Sequence, residues 1–184
     1  MKIWELGSNA NYYDNLTFLT KDGAEDYLER FLEYEFDGRS LVAQWNPLPV
    51  RLLEKIEKSD TPSLSGSVPV LNRKAINILY DLLEGSVELL PLISDIDEYY
   101  VLNVTKVIEA INHEKSEIKR FASSGRIMRF VKYSFIAEKL KETHIFKITD
   151  MPKAHVFVSD QFKDRALNNG LKGFEFTEVW ESED

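Results

Sequence analysis

The strongest constraint on this chain is a change of period at Gly85. Before it, Ala75, Ile78, Leu79, Leu82 and Leu83 recur at i, i+3, i+4, i+7 and i+8, the spacing of one apolar helix face. Asn72 stands at the N-cap position and Gly85 at the C′ position, so the sequence predicts a helix over 73–84. After it, Val87–Leu92 and Glu98–Val104 are rich in β-formers and flank the polar turn Ser94-Asp95-Ile96-Asp97, the pattern of a hairpin.

Two more helices are predicted. Asp22 and Glu25 form a capping-box variant ahead of a stripe of Ala24, Tyr27, Leu28, Phe31 and Leu32, giving a helix near 22–34. Ser159 or Asp160 can cap a helix near 160–169, with Phe162, Ala166 and Leu167 inward and Gly170 at its end. Strand patterns fall at 1–6, 16–19, 50–56, 118–121, 126–133, 144–148, 154–159 and 174–180. Residues 134–141 suit a short helix, 39–49 are irregular, and 59–66 form a loop. Helices early and late with strands between them predict an α+β fold with a largely antiparallel sheet. The 184 residues suit one domain. A chain of that length buries roughly 70% of its unfolded surface and needs no disulfide or metal to fold.

There is no cysteine, which excludes disulfides, thiolate zinc sites and a cysteine nucleophile. That is consistent with a reducing compartment, and a cytoplasmic location is expected. The N-terminal run is interrupted by Glu5 and does not read as a signal peptide, and no window of about 18 apolar residues exists to span a membrane. The eight glycines never take the spacing of a phosphate-binding loop, and there is no Gly-x-Ser-x-Gly elbow. His113-Glu114 lacks the second histidine of a zinc helix. His144 and His155 could face each other on neighbouring strands, and with a carboxylate they could hold a metal. Unliganded strand histidines are far commoner. Ser116-Glu117-Ile118-Lys119 fits a four-residue hydrolase pattern whose companion motifs are missing. Acid pairs such as Glu33 with Glu35, or Asp95 with Asp97, are ordinary for turns and helix ends. No catalytic residue, metal ligand or cofactor is expected.

The charge pattern is more informative. The formal charge is −8, which disfavours nucleic acid as a partner. Residues 25–37 hold six acids against one Arg, and Asp95, Asp97 and Glu98 make a second acidic spot in the hairpin turn. The C-terminal end is acidic as well, through Glu175, Glu178, Glu181, Glu183 and Asp184. Residues 115–132 hold six bases against Glu117 alone. Such clusters are either solvated faces or a field that steers a charged partner. Trp45, beside Pro47, is either a binding anchor or a plug that pins its loop to the core.

Val87-Glu88-Leu89-Leu90-Pro91-Leu92 followed by Glu98-Tyr99-Tyr100-Val101-Leu102-Asn103-Val104 resembles the paired strands of immunity protein family eleven of bacterial polymorphic toxin systems. The order continues around it. Phe36–Leu41 with Trp45 and Val68–Leu71 come before it. Glu114–Ser116, Ile145–Lys147, Val158–Phe162 and Leu171–Phe176 come after. The resemblance runs from about residue 36 to the end. It departs at Ser59-Asp60-Thr61-Pro62, where Thr61 stands in place of the usual aromatic. The first 35 residues match nothing in it and are candidates for a variable N-terminal extension.

The resemblance implies a non-catalytic immunity protein whose partner is a cognate toxin domain encoded by an adjacent gene. Joined to the charge pattern, it makes Glu29, Glu33, Glu35, Asp37, Asp95, Asp97 and Glu98 the expected partner-binding residues. The alternatives are a small enzyme that uses carboxylate and histidine chemistry, and a non-catalytic adaptor.

Overall fold

The computed structural model describes residues 1–19 and 27–182. The chain runs through β1 (Lys2–Ser8), β2 (Asn15–Phe18), α1 (Tyr27–Glu33), β3 (Val50–Leu53), β4 (Val70–Asn72) and α2 (Arg73–Leu83). It continues with β5 (Val87–Pro91), β6 (Tyr99–Val104), β7 (Val107–Ile108), β8 (Glu117–Arg120) and β9 (Ile127–Lys132). After a 3₁₀ turn at Ala137–Leu140 come β10 (Ile145–Ile148), β11 (Phe157–Ser159), α3 (Asp160–Asn168) and β12 (Phe174–Glu181). Pairing is antiparallel except between β7 and β10, so the fold is α+β with few helices.

The largest sheet has the order β12-β1-β11-β10-β7. β1 is an inner strand of it, so the first residues of the chain are built into the fold. A second sheet, β4-β6-β5, carries the hairpin, and β2-β3 and β8-β9 are two-stranded ribbons.

Side-chain alternation along the strands divides the interior into three clusters. The first joins α2 and α3 to one face of each larger sheet, through Leu6, Leu71, Leu79, Leu102, Val104, Val158 and Phe162. The second lies on the other face of β4-β6-β5 and takes Leu16, Phe31, Phe36, Leu48, Leu90, Tyr99 and Val101. The third fills the other face of the large sheet with Ile3, Phe130, Phe135, Phe146 and Phe157. β6 is therefore buried on both sides. Each side chain removed from water this way is worth about 1.5–3 kcal/mol.

The predicted α2 forms with its predicted cap: Asn72 Oδ1 accepts from the Ala75 amide at 2.9 Å. Gly85 follows with φ +70°, a left-handed conformation that closes helices cheaply only at glycine. Asp60, inside the expected loop, is buried and ties three elements together. Its carboxylate accepts from the Asn72 side chain at 3.1 Å, from Lys74 Nζ at 3.0 Å and from the Lys172 amide at 2.8 Å.

Several expectations change. The α1 stripe is only partly inward: Phe31 is buried, but Leu32 is 64% exposed. A helix of only two turns against the second cluster can bury one face and no more. Ala24 and the Asp22–Glu25 cap lie outside the described residues. In α3, Leu167 points outward and Leu171, beyond Gly170, takes the inward place. The expected helix at 134–141 shrinks to the 3₁₀ turn. β4 and β7 are three and two residues long, too short to show a period.

Candidate interaction surface

The register of β5 with β6 sets Glu88 directly opposite Asn103. Asn103 sits on the side of β6 that carries Val101, facing the second cluster, and is fully buried. Its Nδ2 donates to Glu88 Oε2 at 2.8 Å and to the Arg39 carbonyl at 2.8 Å. Glu88 also accepts from the Leu41 amide at 2.8 Å and from the Ser40 hydroxyl. Burial opposes ionisation of Glu88, but these donors outweigh it and hold the carboxyl below its ordinary range. Two side chains from the motif strands thus grip the segment that leads away from α1. Their role is architectural.

Other contacts fix the same segment. Lys147, buried on β10, donates its ammonium to the Phe36 carbonyl. Gly38 has φ +102° and lies against Val107, where an added Cβ would collide with the valine side chain. Trp45 Nε1 donates to the Pro91 carbonyl at 2.9 Å, and its ring lies 4.7 Å from that of Tyr34. Trp45 therefore works as the plug.

The seven predicted acids divide by what surrounds them. Glu35 pairs with Arg39 at 2.7 Å and Lys153 at 2.5 Å, and Asp37 binds Arg39 at 2.7 Å. Both carboxyls are held below their ordinary range, first by the hydrogen bonds from Lys153 and Arg39 respectively. Glu98 pairs with Arg73 at 2.8 Å, and that bond likewise lowers it. Asp97 accepts from the Glu98 amide at 2.7 Å and from the Asn72 side chain at 3.4 Å. Glu29, Glu33 and Asp95 are exposed and make no ion pair among the described residues.

A cleft of about 370 Å³ lies between the two acidic segments, lined by Tyr27 and Arg30 of α1 and by Leu19, Pro49 and Ile93. Ile93 opens the turn that carries Asp95. α1 and the residue that opens the acidic turn therefore border one mostly apolar recess. Ile93, in its wall, is more than half exposed.

The histidines do not converge. His144 and His155 do not face each other, because the β10–β11 register puts His144 beside Ser159, 3.1 Å from its hydroxyl. His155 instead meets Glu5 at 2.8 Å, a hydrogen bond that raises its pKa. His113 pairs with Asp150 at 3.0 Å. His144 does border a cleft with Glu142 and Asp160, but the Asp160 carboxylate is already taken by the Lys2 amide at 2.7 Å and Trp4 Nε1 at 2.9 Å. Among the described residues no group of three or more His, Asp or Glu is placed to hold a metal ion. No helix among them is long and apolar enough to cross a membrane.

Residues 93–181 match the model of the Immunity protein family (Imm11), so the resemblance read from the sequence holds from the hairpin turn through β12. The match spans just under half of the 184 residues and leaves α1, α2 and β5 outside it. No curated protein matches the chain.

Proposed function

We propose that this protein is a single-domain immunity protein. It captures the toxin domain encoded by an adjacent gene and blocks that toxin's active site or substrate path in the cytoplasm, with no catalysis of its own. The family match over residues 93–181 carries the reading. Stoichiometric inhibition needs tight binding, and nuclease–immunity pairs are among the tightest complexes known. The acidic rim supports capture of a basic toxin surface. Glu29, Glu33 and Asp95, which make no ion pair among the described residues, supply its free charge, while Glu35, Asp37, Asp97 and Glu98 lie in the same two segments. Opposite charges there would speed encounter more than they would strengthen the final complex.

Co-expression with the adjacent gene is the test. Restored growth with a co-purifying complex is expected, and failure to restore growth overturns the proposal. Reversing Glu29, Glu33 and Asp95 together should slow toxin association and weaken its salt dependence. Unchanged kinetics would remove the acidic rim from the interface.

A further inference from the structure

β8 and β9 form a ribbon whose two faces differ sharply. Ile118, Ile127 and Phe130 pack on the third cluster. Lys119, Arg120, Arg126, Arg129 and Lys132 are all exposed, and Lys119 stands opposite Arg129 in the register. None of the five makes an ion pair among the described residues; Arg120 only donates to the Gly125 carbonyl at 3.0 Å. Elsewhere on the surface Arg39, Arg73, Lys74, Arg165 and Lys172 each pair with an acid. Apolar groups are exposed among the cations: Phe121 is 47%, Met128 37% and Val131 59% exposed. At the turn end of the ribbon Arg126 and Ile127 border a cleft of about 580 Å³, whose other wall is Asp150, Met151 and Pro152.

Cations on a two-stranded ribbon can simply guard its free edges against pairing with other strands. Guarding does not call for an exposed Phe, Met and Val beside them. Arg, Phe and Met together are the composition of a protein interface. A nucleic acid would meet the long-range repulsion of the whole chain and would have no use for the aliphatic surface.

We infer that the β8–β9 ribbon is a second docking element, one that takes an acidic, partly apolar protein surface. Its occupant is the same toxin domain, so the inference rests on the function proposed above. The acidic rim and the basic ribbon then present two opposite fields to one partner. That fixes its orientation, since turning the partner around would set like charges against each other.

Binding kinetics of the full chain against the toxin domain of the adjacent gene, at several salt concentrations, test this. Replacing Lys119, Arg120, Arg126 and Arg129 together by Glu should slow association by ~10-fold or more and change its salt dependence. Lys58→Glu, a charge reversal at an exposed lysine outside the ribbon, should leave the rate within ~2-fold. Phe121→Ala should mainly speed dissociation, by ~10-fold if it is an interface anchor. The milder Arg126→Gln with Arg129→Gln pair keeps the test sound if the fourfold variant misfolds, and should still slow association.

Wild-type kinetics in these variants would overturn the inference and leave toxin capture standing. A wild-type chain that does not bind the toxin domain would overturn the proposed function and this inference with it. A dimer at low salt that the fourfold variant lacks would assign the ribbon to self-association and overturn it as well. So would tight duplex binding lost in that variant.

Discussion

The β5–β6 and β8–β9 hairpins are written in the same local grammar and used in opposite ways. Both are short antiparallel ribbons with alternating side chains. β6 is covered on both faces, and the polar residue it brings inside, Asn103, is bonded together with Glu88 of β5 to a neighbouring segment. The β8–β9 ribbon is covered on one face only and turns outward three apolar groups and five cations that make no ion pair among the described residues. A hairpin becomes a structural element when a second layer closes over it. Left open, it becomes a surface. Here the closing layer is the segment that follows α1, held by Lys147, Gly38 and Trp45.

The largest test of this contrast is truncation of matched apolar positions. Leu102→Ala, in the closed hairpin, should cost about 2–5 kcal/mol in chemical unfolding, because Leu102 is 1% exposed and packs against α2. Val131→Ala in the open ribbon should fall within about 0.5 kcal/mol of wild type. Comparable losses at both would erase the distinction.

Next in size is the lysine under the closing layer. Burial drives the Lys147 pKa from 10.5 to about 8. Between those values the unfolded chain holds a proton that the folded chain has lost, so stability rises with pH across that window. The rise amounts to at most about 3 kcal/mol. Lys147→Met should abolish that part of the rise, read as the difference between variant and wild-type unfolding free energies from pH 8 to 10.5. A constant difference across the window would show that Lys147 does not titrate there.

Smaller again is the Glu88 network. Glu88→Ala strands the Leu41 amide, removes one of the two bonds of the Asn103 side chain and should cost about 1–3 kcal/mol in urea unfolding. Its pKa is lowered in the folded state, so its contribution is present above the ordinary carboxylate range and lost as pH falls through the folded value. Glu88→Gln should accordingly lose less stability on acidification than wild type. The smallest effect is expected from Lys119→Ala, which should leave stability unchanged within about 0.5 kcal/mol and alter only the binding kinetics.

Much of the fold could be read from local pattern. The α2 stripe and its Asn72 cap, the hairpin after Gly85, and the strands at 145–148 and 174–181 are short-range signals that the structure keeps. β4 and β7, three and two residues long, could not be read, because they form only where a partner strand offers hydrogen bonds. The site was legible as charge but not as charge state. Counting found every acid near α1 and the hairpin turn. It could not foresee that Arg39, Lys153 and Arg73 neutralise three of them, since two of those ion pairs span long sequence separations. The basic segment was visible too, yet nothing local distinguishes a cation that will find a partner from one that will not.

The sequence by itself therefore determined the period of each element, its caps and the sign of each charged segment, because these depend on residues within a few positions of one another. Tertiary structure alone decided which hairpin is closed over and which is left open. It also decided which acids remain unpaired and that a lysine lies beneath the Phe36 carbonyl. Those outcomes depend on groups distant in sequence that share space only once the three clusters have formed.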